Sequence, residues 1–162
     1  MADTSPPAPP RGLMRWLMRA PVGLFRLRLG WLMSERFLML THIGRKSGLP
    51  RHTVLEAIFH DPDRDLYLVA SGWGEQADWV KNITANPHAL LSVGKRRLEV
   101  TAIRLDVEET VRALYAFATQ QPEAFKELLR RSGVSSTEHV AADCELLAKK
   151  MPFVLIEPYP VK

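Results

Sequence analysis

The chain has 162 residues and a net charge of +4 at neutral pH, with 46% hydrophobic and 25% charged residues. That composition excludes a disordered or fibrous chain and suits one domain, which typically runs to about 100–200 residues. A single cysteine, Cys144, excludes an intramolecular disulfide and a cysteine-cluster metal site, and fits a reducing, cytoplasmic setting.

Residues 1–10 hold four prolines and no large apolar residue, and read as a disordered leader without the features of a secretion signal. The charge that follows is uneven. Residues 11–51 carry nine basic residues and one acid, whereas residues 52–162 carry 13 basic and 16 acidic residues. The first third therefore meets anions: cofactor phosphates, lipid head groups or nucleic acid. Within it, residues 11–34 form a basic amphipathic segment. At about 100° per residue Arg11, Arg15, Arg19 and Arg26 share one helical sector, with Trp16, Leu17, Leu24, Leu27 and Trp31 mostly elsewhere. Pro21 kinks or splits this helix. It suits two roles: packing on the domain with its arginines in water, or lying on an anionic membrane surface through residues 11–33. No segment is predicted to span a membrane, because the longest run free of Lys, Arg, Asp and Glu, Asn82–Gly94, is too short and too polar.

The pattern then becomes strand-like. Arg36–Ile43 is short and apolar. His52–His60 and Asp65–Ser71 form a hairpin around Asp61–Arg64. Ala77–Ala85 reads as a short helix ended by Asn86-Pro87. Ala89–Val93 and Arg96–Leu105 are strands joined tightly at Gly94-Lys95. Asp106, with Glu109 three positions on, predicts a capped helix to about Gln120. Further helices follow over Glu123–Arg131 and about Thr137–Lys150, the latter with Thr137 as its cap, and Phe153–Glu157 is a closing strand. Strands that succeed one another through short turns point to antiparallel pairing and a small barrel.

Three segments carry chemistry. The first is Thr41-His42-Ile43-Gly44-Arg45-Lys46-Ser47-Gly48-Leu49-Pro50-Arg51. Its glycines and proline break the chain between two strands. They are expected to leave backbone N–H groups free for a ligand, while Arg45, Lys46 and Arg51 converge on it and Ser47 adds a hydroxyl. This favours an anion site over a merely solvated loop. The second is Ala70-Ser71-Gly72-Trp73-Gly74, whose small residues let a flat ring approach the backbone, with Trp73 stacking on it or walling it in. The third is Asp78-Trp79 with Asn82 and Ala85-Asn86-Pro87, otherwise read as a helix whose Trp79 packs inward. His42, His52, His60, His88 and His139 show no metal spacing. His42 and His52 are placed to face the site from neighbouring strands, though a structural role is favoured for each. Nucleic acid is the least fitting partner, since the basic run lacks interleaved aromatics on a strand face.

Together these segments resemble the deazaflavin (coenzyme F420)-dependent nitroreductase and quinone reductase family. The shared features are Gly44–Arg51, the Ala70–Gly74 turn, and Trp79–Pro87 in the form W-x-x-N-I-x-A-N-P. The resemblance covers roughly residues 36–105 and the final strand. It implies an α+β chain with a split β-barrel fold over 35–162, of the flavin-reductase and pyridoxamine-oxidase kind. It also implies an oxidoreductase that passes hydride from reduced F420 to a small lipophilic acceptor such as a quinone or nitro-compound. Arg45, Lys46, Ser47, Gly48 and Arg51, with Leu49 and Pro50, would hold the anionic part of the coenzyme. Met39, Leu40, Thr41, Ala70, Ser71, Gly72 and Trp73 would line its ring, with Ala77, Asp78 and Trp79 nearby. Ser71 would hydrogen-bond the ring or substrate. No metal is implied. The same loop also suits the single phosphate of FMN, and a non-catalytic lipid- or membrane-binding module is the alternative outside enzymes. Two departures stand out: Gly72 replaces a lysine that some relatives carry after the turn, and residues 120–150 lack the tyrosines that shape some relatives' substrate pockets.

Overall fold

The computed structural model describes residues 22–23 and 36–159. Six strands build the molecule: β1 (Phe37–Ile43), β2 (Pro50–Asp61), β3 (Leu66–Ala70), β4 (His88–Val93), β5 (Arg96–Arg104) and β6 (Phe153–Pro158). They close into a barrel in the order β1-β2-β3-β6-β5-β4, with β4 pairing back onto β1 and every pair antiparallel. This is the expected split-barrel architecture. Helix α1 (Asp78–Ala85) lies between β3 and β4, preceded by a 3-10 turn, Gly74–Gln76, that the sequence did not suggest. Helices α2 (Val107–Gln120), α3 (Pro122–Arg131) and α4 (Val140–Lys150) lie between β5 and β6. The leader and nearly all of the basic segment fall outside the described residues. Of that segment only Val22 and Gly23 are described, and both are helical.

The two-residue period of the strands divides the apolar residues between two cores. Leu38 and Leu40 of β1, Tyr67 and Val69 of β3, Leu91 and Val93 of β4, and Val154 and Ile156 of β6 fill the barrel. Ile83 and Trp79 of α1 enter the same core. The alternate positions, Leu68 of β3 and Phe153 and Leu155 of β6, pack outward against Leu114, Phe117, Phe125, Leu129 and Leu147 of the C-terminal helices. On β2 the alternation breaks. Leu55 and Ala57 face the barrel, but Ile58 and Phe59 both join the helical core. A register shift between Ala57 and Phe59 accounts for this, since one bulged residue turns the rest of a strand over.

Asp106 caps α2 as predicted. Its carboxylate accepts from the Glu109 amide at 2.8 Å, and Glu109 accepts from the Asp106 amide at 2.9 Å. A cap of this kind contributes about 1 kcal/mol. Thr137 does not cap α4, which begins three residues later at Val140. The roles are reversed: the buried Asp143, in the first turn of α4, reaches back to the loop. It accepts from the Ser136 hydroxyl at 2.7 Å, the Thr137 amide at 2.7 Å and the Thr137 hydroxyl at 2.9 Å. Burial pushes the Asp143 carboxyl up, but these hydrogen bonds more than offset it and hold the group below its ordinary range.

Candidate functional site

The loop between β1 and β2 closes on itself. Gly44 donates to the Leu49 carbonyl at 2.9 Å, Gly48 to the Gly44 carbonyl at 2.8 Å, and Ser47 to the same carbonyl at 3.2 Å. The Leu49 amide donates to Ser47 Oγ at 3.3 Å, and the Arg45 amide to Asn82 Oδ1 at 3.1 Å. The expectation of free loop amides is therefore corrected: five of them are already bonded. With three amides bonded to loop carbonyls and two to side chains, the loop leaves most of the grip on an anion to side chains. Gly48 needs its glycine for a left-handed φ of 66°. Gly44 needs its own for room, because a Cβ there would stand 2.7 Å from Ser47 Oγ.

The three cations do not act alike. Arg45 turns toward α1, where its Nη1 donates to Asn82 Oδ1 at 2.9 Å and to Asp78 Oδ1 at 3.0 Å. Asp78 and Asn82 are four residues apart, on one helix face, and Arg45 grips both. Among the described residues the Arg51 side chain has one long contact, to Ser47 Oγ at 3.4 Å. Neither Lys46 nor Arg51 forms a salt bridge among the described residues. All three line one cleft of about 930 Å³, opposite Trp73, Gln76, Ala77, Asp78 and Trp79, with Ser47, Pro50, His52 and Thr53 in its walls. The same cleft is thus lined by the cations Lys46 and Arg51 and by the indole rings of Trp73 and Trp79.

The remaining candidates are distributed differently. Met39 and Leu40 are buried and do not line the cleft, and Leu40 belongs to the barrel core. The Thr41 hydroxyl pairs with His52 Nδ1 at 2.9 Å. Gly48 and the exposed Leu49 are also absent from the walls. Ser71 is buried, its hydroxyl donating to the Gly74 carbonyl at 3.0 Å and its amide to the Pro152 carbonyl at 3.0 Å. Its side chain fastens a turn. Ala70 and Gly72 open instead onto a second cavity of about 600 Å³, beneath α3, with Ala57, Ile58, Phe117, Leu128 and Met151. Gly72 is not left-handed, and a Cβ added there meets open space. Trp73 borders the cleft and Gly72 the second cavity, so consecutive residues of one turn face the two spaces.

Two residues near the loop were undervalued in the sequence. Asn82, 4% exposed, joins the Arg45 side chain, the Arg45 amide and, through Nδ2, His42 Nδ1 at 3.2 Å. The i, i+4 spacing of Asp78 and Asn82 was the available signal. His42, 3% exposed, is a wall of the cleft. Burial first, then repulsion from His52 and Arg51, lowers it from 6.5 to about 4, so it is neutral at neutral pH.

A family model described as F420H2-dependent quinone reductase matches residues 23–135. The chain belongs to that family. It is an oxidoreductase, and its cofactor is coenzyme F420. The matched residues carry both cavities' main walls and stop short of α4 and β6. Among solved structures, a protein of unknown function from Agrobacterium tumefaciens is 17% identical with a TM-score of 0.51, over 97% of this chain and 60% of its own. A structure described as a domain-swapped dimer is 17% identical with a TM-score of 0.50, over 90% of this chain and 100% of its own. An F420-H2-dependent reductase is 19% identical with a TM-score of 0.49, over 77% of this chain and 96% of its own. The first two show likeness of fold. Among curated proteins none matches the sequence. The cleft of this family member is lined by both cations and two tryptophans, residue types that suit an anionic ligand with a flat ring.

No described helix is long and apolar enough to cross a membrane, and no group of described residues suits a metal ion.

Proposed function

We propose that this chain binds reduced F420 in the cleft and uses it to reduce a lipophilic acceptor, a quinone or a nitro-compound. The observation that carries the reading is the pair Lys46 and Arg51, two cations without acidic partners among the described residues, in the walls of a cleft that two tryptophans also line. Bound F420 supplies the hydride. The protein's part is to hold, orient and keep water away, which requires no nucleophile. Arg45, tied to Asp78 and Asn82, sets the shape of the loop and leaves the contact with anionic groups to its neighbours.

The second cavity supports a neutral, apolar acceptor. Its floor is Ala57, Ile58, Phe117, Leu128 and Met151. Its charges are largely self-paired: Glu56 accepts from Arg131 at 2.9 and 2.6 Å and pairs with Arg36 at 2.8 Å. The Arg131 hydrogen bonds hold the Glu56 carboxyl below its ordinary range. A quinone seated there would lie against Gly72, the residue before Trp73 of the cleft wall.

The test is a titration of the full chain with F420, FMN and a nicotinamide coenzyme, followed by F420H2 oxidation with a short-chain quinone. Saturable F420 binding and quinone-dependent oxidation are expected. Preference for FMN would replace the cofactor assignment, and binding to none of the three would favour the non-catalytic module. From the basic segment we also infer a peripheral position on anionic lipid. Sedimentation with anionic but not neutral vesicles is the expected result, weakening with salt.

A further inference from the structure

The alternation of β1 sends Leu38 and Leu40 into the barrel, and His42 follows on the same face, at the end that α1 covers. Where the leucines meet hydrocarbon, His42 meets Asn82. The orientation of that amide is fixed. Oδ1 receives two donors, the Arg45 amide at 3.1 Å and Arg45 Nη1 at 2.9 Å, and neither can accept. Nδ2 is therefore a donor. At 3.2 Å it must meet a lone pair on His42 Nδ1, which leaves the ring's proton on Nε2.

A charged ring would set an N–H against an N–H here. The groups around His42 act the same way. Arg51 and His52 of β2 oppose a proton, Asp78 of α1 favours one, and burial adds to the opposition. Nε2 has no protein partner among the described residues, and His42 is a wall of the cleft that Lys46 and Arg51 border.

We propose that His42 is an uncharged hydrogen-bond donor, through Nε2, to the anionic part of the bound coenzyme, and that Asn82 is the positioning residue that fixes its tautomer. This rests on the placement of the coenzyme's anionic part in the cleft. Such a donor serves a site already crowded with cations: it adds directional recognition of an acceptor oxygen without adding charge that Arg51 and Lys46 would repel. Asn82 joins this donor to the loop, because the same amide holds Arg45.

Long-range proton–nitrogen correlation spectra of the full chain, labelled at histidine and free of coenzyme, read the tautomer directly. His42 is expected as the neutral Nε2–H form at neutral pH. In Asn82→Asp, whose carboxylate accepts where Nδ2 donated, the proton should move to Nδ1 and the His42 pKa should rise. Fluorescence titration with F420 should show about a tenfold loss of affinity in His42→Phe, and a loss of no more than about threefold in His42→Gln, whose amide nitrogen can replace Nε2 as donor. A wild-type proton on Nδ1, or unchanged affinity in His42→Phe, overturns the donor role alone. Failure of the wild-type chain to bind F420 overturns the placement of the coenzyme and the donor role with it.

Discussion

Two turns of similar composition flank the cleft, and they are built in opposite ways. The β1–β2 loop bonds most of its backbone internally and ties Arg45 to a helix 33–37 residues further on, leaving Lys46 and Arg51 without acidic partners among the described residues. The Ala70–Gly74 turn uses the Ser71 hydroxyl to hold its own Gly74 carbonyl, and turns Gly72 toward a different cavity. Both look like ligand loops in the sequence. What separates them is whether a partner from elsewhere in the fold takes over the structural work and frees side chains for a ligand.

The sharpest break of that contrast is a pair of substitutions on one side and a single one on the other. Lys46→Ala with Arg51→Ala should weaken F420 binding about a hundredfold, each single change about tenfold, since hydrogen bonds to charged groups contribute about 1.5–3 kcal/mol each when shielded. Gly72→Val should leave F420 affinity within about twofold, because a Cβ there meets open space and φ is not left-handed. It should instead raise KM for the quinone. Fluorescence titration and steady-state kinetics measure both. Blocked F420 binding in Gly72→Val would show that the turn contacts the coenzyme after all.

Asn82→Ala comes next. It leaves the Arg45 amide and His42 Nδ1 without their partner and Arg45 Nη1 with Asp78 alone, and should cost about 2 kcal/mol of stability in urea unfolding. The loop should loosen with it, so coenzyme affinity falls too. Ser71→Ala should cost about 1 kcal/mol, one hydrogen bond to Gly74, with coenzyme affinity unchanged. Equal losses of affinity in the two variants would erase the distinction drawn between the turns.

The smallest effect near neutrality concerns pH. His42 is lowered from 6.5 to about 4 in the folded chain. As pH falls below 6.5 the unfolded chain takes up this proton first, so stability is full above that value and declines down to about pH 4. Unfolding of wild type and His42→Gln across this window should show a shallower decline in the variant. Parallel curves would mean that His42 does not titrate as its surroundings require.

Much of this architecture was legible from local pattern. Apolar strand runs, the Gly94-Lys95 turn and the Asp106–Glu109 box depend on neighbours in sequence, and each stands within a few residues of its expected place. What was not legible depends on contacts across the chain. No local rule assigns Ile58 and Phe59 to the same face, because a bulge does that. Thr137 lost its capping role to a carboxylate six residues later. Arg45 read as a free cation because Asp78 and Asn82, which claim it, lie on another element. Ser71 read as a ligand contact because its acceptor is a carbonyl, invisible in any residue pattern.

Asn82 belongs to a helix whose Ile83 and Trp79 are seated in the barrel core. The Arg45 amide, though it belongs to an exposed loop, is bonded to that helix. Its hydrogen can exchange with solvent only when the bond to α1 breaks. The solvent-facing lip of the cleft therefore keeps time with the barrel interior: its amide exchange should be as slow as that of core strands, while Lys46 one residue away exchanges at the pace of a surface turn.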